Sequence, residues 1–250
     1  MDSDSRRPGR PGGTGRSESP MGELLLKSEA SGLAVFCDFD GTLSVQDVGS
    51  QIAQMYLSKP RAELGVLFKE GQIDAWEYAV KLFDGFHFSS QAIHNFLQSI
   101  DLDPGARDLL DWCDSRAIPF QILSDGFDYN LNELQVIHDI QFSYRANHLR
   151  LEGDIWRLSP GGRNSACSCG TGLCKRTQIE TYRQTAPEVL CVHIGNGRVS
   201  DLCGAEAADV AFAKETLAEA LAEREIEYYT FETLHDVILH LQAWYDSRVQ

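Results

Sequence analysis

Two aspartates separated by one residue are the first side chains of this sequence whose spacing could support catalysis. Asp38 and Asp40 directly follow the apolar run 33–37, which is typical of a buried strand. In an extended backbone, side chains two positions apart point to the same side, so both carboxylates face one way while Phe39 points into packing. Neighbouring carboxylates can divide the roles of nucleophile and of general acid and base.

The next two residues could hold an anion beside these carboxylates. Gly41 allows the chain to turn and the backbone to approach a ligand closely, and Thr42 offers an anion a hydroxyl and an N–H. Asp and Gly are also ordinary residues at strand ends. The pentapeptide by itself therefore leaves a structural and a catalytic interpretation open.

Polar residues follow two later apolar runs as well. Ser124 follows the run 118–123, and Asn196 and Asp201 follow the run 189–194. In a doubly wound sheet, the carboxyl ends of the strands meet at one edge, where ligands bind. The residues that we expect to meet there are Asp38, Asp40, Ser124, Lys175, Asn196 and Asp201.

This set of groups is typical of metal-assisted phosphoryl transfer. The carboxylates supply a nucleophile and oxygen ligands for a divalent cation, and the hydroxyl can hydrogen-bond a phosphate. Lys175, which begins a predicted helix, adds a positive charge. In such reactions the enzyme mainly positions groups and neutralises charge.

The elements that position these residues follow an α/β rhythm with one helical interruption. Residues 30–46 and 104–250 are predicted to form a doubly wound, mostly parallel, Rossmann-like sheet with flanking helices. Residues 47–103 show helical periodicity throughout and predict a small cap that folds over the site. Residues 142–158 alternate around a glycine and predict an antiparallel hairpin at the sheet edge, and residues 1–22 predict a disordered tail.

Composition limits the classes of partner. The 250 residues carry a net charge of −15, which argues against nucleic-acid binding, since that depends on many Lys and Arg contacts with phosphates. A small ligand and a divalent cation are expected instead. The sequence has no apolar run long enough for a membrane span and no apolar secretory segment, so a cytoplasmic protein is predicted. The oligomeric state is left open.

The motifs, taken in order, resemble those of the haloacid dehalogenase superfamily of phosphatases. The resemblance extends from about residue 33 to residue 244, and the insert is similar to the type 1 helical cap of its subfamily I. The matching motifs are Asp38-Phe39-Asp40-Gly41-Thr42, Ser124 with Asp125, Lys175, and Gly195-Asn196-Gly197 through Asp201. The hairpin is similar to that of phosphoserine phosphatases.

This resemblance implies a mechanism. Asp38 would attack phosphorus and form an aspartyl phosphate, and Asp40 would act as the acid and base. The residues implied in phosphate binding are Thr42, Ser124, Asp125 and Lys175. The residues implied in Mg²⁺ binding are Asp38, Asp40, Asn196 and Asp201. The sequence departs from the family at Asn196, where an Asp is usual, which puts the affinity for metal in question.

The substrate stays open among three interpretations. Cys167, Cys169 and Cys174 look like the cysteine-rich run of the 2-hydroxy-3-keto-5-methylthiopentenyl-1-phosphate phosphatases, although the spacing differs. The same core would serve a phosphoserine phosphatase equally well. A non-catalytic phosphate-binding protein is the third interpretation, which Asn196 encourages and the intact Asp38 and Lys175 oppose.

The cysteines also leave an alternative open. Seven of them, an odd number, indicate reduced thiols rather than a disulfide framework. Cys167, Cys169 and Cys174 could form a zinc or redox site, but they are not a CxxC pair and the sequence shows no fourth ligand. His193, inside a predicted strand, is interpreted as a packed core residue.

Overall fold

A computed structural model describes residues 32–249, so the prediction for the tail at 1–22 lies outside the described residues. Seven strands form one sheet in the order β4-β3-β2-β1-β5-β6-β7, and every neighbouring pair is parallel except β3 with β4. The strands are β1 (Gly32–Cys37), β2 (Phe120–Phe127), β3 (Ser143–Glu152), β4 (Ile155–Ser159), β5 (Val189–Gly195), β6 (Val210–Ala213) and β7 (Tyr229–Thr230).

Within the described residues, ten α-helices connect or follow these strands. Four belong to the segment predicted as the cap: α1 (Val48–Tyr56), α2 (Ser58–Lys69), α3 (Ala75–Phe83) and α4 (Ser90–Leu97). The others are α5 (Ala106–Asp114), α6 (Asp128–His138), α7 (Lys175–Thr185), α8 (Leu202–Ala207), α9 (Glu215–Glu223) and α10 (Leu234–Val249). Within 32–249, no helix is long and apolar enough to cross a membrane.

Strand β1 is at the centre of the sheet because its side chains are apolar on both faces. Its residues 33–37 are at most 3% exposed, as expected of a parallel strand covered by helices on both sides. Cys37 pairs with Ile122 of β2 and with Ile194 of β5. The first and fourth motifs therefore leave the sheet at one level, while β2 continues through Ser124 to Phe127, and β1 is where the strand order reverses.

Three of the four cap helices begin at a side chain that caps their first turn. Asp47 accepts a hydrogen bond from the Ser50 N–H at 2.6 Å, and Ser89 accepts one from the Ala92 N–H at 3.2 Å. Asp74 and Glu77 form a reciprocal capping box at the start of α3. Such caps stabilise a helix by about 1 kcal/mol each, which favours these start points in short helices.

The β3–β4 hairpin lies at the sheet edge, as predicted, and it also joins the cap to the core. Trp156 of β4 is fully buried, and its indole N–H donates to the Phe88 carbonyl at 3.1 Å. Backbone bonds of 2.8 Å from Gly85 to Trp156 and of 2.9 Å from Trp156 to Phe86 extend the hairpin into the cap segment. The rings around Trp156 are Phe83, Phe86, Phe88 and Phe127.

We predict that Trp156→Ala lowers the free energy of unfolding by about 3–5 kcal/mol, because it leaves a cavity where cap and core meet. Urea unfolding followed by circular dichroism measures this difference. Leu239→Ala on the exposed face of α10, where the side chain is 70% exposed, is the control and should change stability by about 0.5 kcal/mol or less. Equal effects of the two substitutions would contradict the joining role of Trp156.

Candidate active site

The first loop carries its carboxylates in the arrangement that the alternation predicts. Asp38 and Asp40 both have extended backbone angles and both line the same cavity. Phe39 between them is 1% exposed, and its ring centroid lies 6.0 Å from that of Phe142 in the core. The packing of Phe39 therefore holds the two carboxylates on the cavity side.

Gly41 is required for the loop to close against the fourth motif. Its φ of +78° lies in the left-handed region, and an added Cβ would lie 2.3 Å from Nδ2 of Asn196. Nδ2 of Asn196 donates to Glu215 at 3.0 Å, and Oδ1 accepts from the Thr42 hydroxyl at 3.3 Å. The amide oxygen of Asn196 is thus presented to the first loop.

A fully buried lysine links the first loop to the fourth motif. The Lys175 ammonium contacts Oδ1 of Asp38 and lies 2.5 Å from Oδ1 of Asp201. Burial by itself would lower the pKa of Lys175, but the charges of Asp201 and Asp38 raise it above its ordinary value. Lys175 is therefore a permanent positive charge beside the nucleophile candidate.

Both carboxylate oxygens of Asp201 accept hydrogen bonds from protein groups. Besides Lys175, its Oδ1 accepts from Nε2 of His193 at 3.1 Å. Its Oδ2 accepts from the backbone N–H groups of Asn196 at 3.2 Å and Gly197 at 2.8 Å, and from the Ser200 hydroxyl at 3.3 Å. Burial would raise the pKa of Asp201, but Lys175 and His193 hold it well below its usual range. The Asp201 carboxylate thus holds Lys175 in place, and its contact with Mg²⁺ stays a prediction.

His193 thus contributes to the site although the sequence predicted only a packed core residue. It is fully buried, as predicted, and burial lowers its pKa, so the neutral ring donates to the ionised Asp201. The sequence contained one indication of this role, because His193 lies in the strand that Asn196 of the fourth motif directly follows. Periodicity does not reveal which neighbour a buried histidine contacts.

The first loop carries an excess of negative charge. Burial and the charge of Asp201 raise the pKa of Asp38 to about 7, despite Lys175. Burial, followed by the charges of Asp47 and Asp38, raises the pKa of Asp40 well above its ordinary value. Lys175 is the cation placed among Asp38, Asp40 and Asp201, so a divalent cation would offset the charge that remains.

The oxygen atoms left with little hydrogen bonding suit such a cation. Oδ2 of Asp38 has the Thr42 hydroxyl at 3.5 Å, and Oδ1 of Asn196 has the same hydroxyl at 3.3 Å. Carboxylate, amide and backbone carbonyl oxygens are the ligands that Mg²⁺ prefers. These residues therefore fit Mg²⁺ in both charge and donor type.

The second motif divides into one residue at the site and one that holds a neighbouring loop. The Ser124 hydroxyl accepts from the Gly126 N–H at 2.9 Å and lies 3.5 Å from Oδ2 of Asp40. Oδ1 of Asp125 accepts from Asn147 at 2.9 Å, Gly172 at 2.9 Å and Leu173 at 3.1 Å. The carboxylate of Asp125 thus holds the segment before Lys175, and a phosphate contact by Asp125 would rest on its main chain.

A cavity of about 930 Å³ lies over these residues and is lined by both the core and the cap. Asp47 and Arg61 contribute charged side chains from the cap, and Arg61 is held by a 2.9 Å hydrogen bond to Ser50. Apolar side chains line much of the remainder, among them Val48, Ala53, Leu82, Phe83, Phe127 and Leu131. The sequence did not single out these cap residues, because they belong to no motif and their periodicity is that of any helix.

Comparison with known proteins agrees with this arrangement. No family model matches the chain. A curated relative from Brevibacillus brevis, a 2-hydroxy-3-keto-5-methylthiopentenyl-1-phosphate phosphatase, is 29% identical over 84% of this chain and 95% of its own length. A relative of the same name from Bacillus mycoides is 24% identical over 84% of this chain and 96% of its own length.

Solved structures show the same fold. A phospho-aspartyl intermediate analogue of phosphoserine phosphatase has a TM-score of 0.63 and 15% identity, over 84% of this chain and 98% of its own. A substrate-bound phosphoserine phosphatase has a TM-score of 0.61 and 15% identity, over 85% and 99%. The chain therefore has the fold of these phosphoserine phosphatases and is similar to the curated phosphatases over most of its length. The predicted fold class and the predicted phosphatase class are both confirmed.

The raised pKa of Asp38 predicts how the free energy of unfolding depends on pH when EDTA removes the metal. Between the ordinary value of 3.8 and about 7, the folded chain holds a proton on Asp38 that the unfolded chain releases. The free energy of unfolding therefore falls as pH rises through this window, by at most about 4 kcal/mol from this group. Asp38→Asn should remove that part of the slope.

Urea unfolding at several pH values measures both slopes. Asp111→Asn, an exposed aspartate on α5, is the matched control and should keep the wild-type slope. An Asp38→Asn variant that also keeps it would assign the proton to another carboxylate.

Proposed function

We propose that this protein is an Mg²⁺-dependent phosphomonoesterase of the haloacid dehalogenase superfamily that works through an aspartyl phosphate on Asp38. The observation that carries the proposal is the buried contact of Lys175 with Asp38 and Asp201, at the carboxyl end of the central strand and below the cavity. A small phosphorylated metabolite is the partner. We also propose that the protein is cytoplasmic, because its seven cysteines are free thiols, as is usual in a reducing compartment.

In the first step, a carboxylate oxygen of Asp38 attacks phosphorus as the ester P–O bond breaks. Asp40 gives its proton to the departing alkoxide, and burial, which raises the pKa of Asp40, favours the protonated form that this step needs. Asp40 then takes a proton from the water that attacks the aspartyl phosphate, which releases inorganic phosphate and restores the Asp38 carboxylate and the protonated Asp40. The half-buried position of Asp40 at the cavity gives it access to both water and substrate.

The remaining residues neutralise and orient the phosphoryl group. Lys175 supplies a fixed positive charge, and Asp201 holds the ammonium in place. The hydroxyls of Ser124 and Thr42 contribute hydrogen bonds to the phosphate oxygens. Asp38, the backbone carbonyl of Asp40 and Asn196 would hold Mg²⁺, which when bound neutralises the charge of the carboxylate and the phosphate.

For the substrate, we propose 2-hydroxy-3-keto-5-methylthiopentenyl-1-phosphate. The curated relatives carry that activity in their names and match across most of the chain. The cavity supports this choice, because Leu82, Phe83 and Leu131 give it an apolar wall on which a methylthio group can be buried.

Phosphoserine is the second candidate substrate. The solved structures with this fold include substrate-bound phosphoserine phosphatase. Asp47 and Arg61 line the cavity with opposite charges, which would complement the ammonium and the carboxylate of an amino acid.

Turnover of a substrate panel with and without EDTA tests both proposals. The panel contains the methylthiopentenyl phosphate, phosphoserine and p-nitrophenyl phosphate, and we expect kcat/KM for the first to exceed the others by at least about tenfold. Asp38→Asn should be inactive on all three, while Asp111→Asn on α5 stays active. Preference for phosphoserine would select the second candidate, and no turnover with Mg²⁺ would overturn the enzymatic proposal.

Replacing the amide of Asn196 by a carboxylate should change the affinity for Mg²⁺. Asn196→Asp adds a negative charge at the oxygen that faces Asp38, so the Mg²⁺ concentration for half-maximal activity should fall, by roughly tenfold. A Mg²⁺ titration of activity measures the shift. Asn95→Asp on the exposed side of α4 adds the same charge away from the site and should leave the titration unchanged. Weaker Mg²⁺ dependence in Asn196→Asp would contradict the placement.

A further inference from the structure

Four cysteines meet beside the site, although the sequence brought only three of them together. The Sγ atoms of Cys167, Cys169, Cys174 and Cys203 all lie within 4.8 Å of one another. The first three belong to the segment before α7, and Cys203 belongs to α8. The fourth ligand that the sequence did not show is therefore supplied by an element that follows the fourth motif.

We propose that these four cysteines bind one structural Zn²⁺ ion. Zinc is held tetrahedrally by thiolates at about 2.3 Å, which places the sulfur atoms about 3.8 Å apart. The sulfur atoms lie close enough that small rotations of the side chains complete a tetrahedron. Cys174 and Cys203 are buried and Cys167 and Cys169 are half-buried, so the cluster is closed on the core side and an ion can enter from the other.

The surrounding donors are those of a thiolate site. The Thr171 hydroxyl lies 3.2 Å from Sγ of Cys169. At the start of α7, the backbone N–H of Arg176 hydrogen-bonds Cys203 and that of Thr177 hydrogen-bonds Cys174. Such N–H···S bonds orient the sulfur ligands and stabilise their negative charge. The guanidinium of Arg176 also contacts Cys167 and offsets part of that charge.

Metal binding needs no further reactant. Four thiols lose four protons as four Zn–S bonds form, and no atom is oxidised. Two disulfides among the same cysteines would need an oxidant. In a reducing compartment, four converging thiols are more typical of a zinc site than of disulfides.

The position of the cluster indicates what the ion does. Cys174 directly precedes Lys175, and Cys203 follows Asp201 by two residues, so the ion ties together the two segments that carry the buried ion pair. The same loop contacts the cap, because the Gly170 carbonyl accepts from the Trp76 N–H at 2.8 Å. Zinc would therefore stabilise the placement of Lys175 and one contact between core and cap.

The test measures the metal content of tag-free protein after dialysis against EDTA. Inductively coupled plasma mass spectrometry should find about one zinc per chain, which an organomercurial releases and a chromogenic chelator then detects. Cys169→Ser, at a half-buried position, should reduce the zinc content at least about fivefold while circular dichroism shows a folded chain. Cys113→Ala, a buried cysteine of α5 outside the cluster, should retain the wild-type content.

Cobalt gives an independent readout. Protein produced with Co²⁺ should show the visible absorption of tetrahedral cobalt thiolate, and Cys169→Ser should lose it. Zinc-free wild-type protein that also fails to take up Zn²⁺ or Co²⁺ would overturn the proposal, as would equal zinc content in Cys169→Ser. Mass spectrometry that finds disulfides among the four cysteines would replace it with a redox site. None of these readouts depends on phosphatase activity, so the zinc proposal can fail while the proposed function stands.

Discussion

The buried ammonium of Lys175 is the constraint on which the rest of the site depends. An unpaired charge in a protein interior costs several kcal/mol, so Lys175 can be fully buried only with Asp38 and Asp201 in contact. Asp201 is in turn satisfied by His193 and by the backbone of the fourth motif. Because these groups depend on one another, a change at any of them leaves a buried charge without its partner.

The sheet brings Asp38 and the fourth motif together at one edge. Cys37 pairs with both Ile122 and Ile194, so the first and fourth motifs leave the sheet at the same level, and Ser124 lies within β2 beside the first loop. The third motif arrives differently, at the start of α7, after a loop held by the Asp125 carboxylate and by the cysteine cluster. The loop before Lys175 therefore has two anchors, one hydrogen-bonded and one of four sulfurs, and both bear on where the ammonium lies.

The sequence predicted the parts that follow from period and order. Strand-ending carboxylates, the helices that follow the first loop and the edge hairpin are local patterns, and the order of the motifs resembles that of the haloacid dehalogenase superfamily. What the sequence could not show depends on side chains from distant elements. Cys203 joins three cysteines of another loop, Arg61 lines the cavity from α2, and Asp201 accepts hydrogen bonds from His193 and from the backbone of the fourth motif.

Asn196 is understandable in terms of charge once the hydrogen bonds of Asp201 are known. An aspartate at this position would be a fourth carboxylate around Lys175, in a site where burial already raises the pKa of Asp38 to about 7. The amide keeps an oxygen directed at the first loop while its Nδ2 is held by Glu215 at 3.0 Å. Asparagine at this position therefore attracts the cation less than an aspartate would, but it also repels the carboxylates less. Asp38 is then easier to ionise before the cation binds. Metal affinity and nucleophile ionisation are therefore set against each other at this one position.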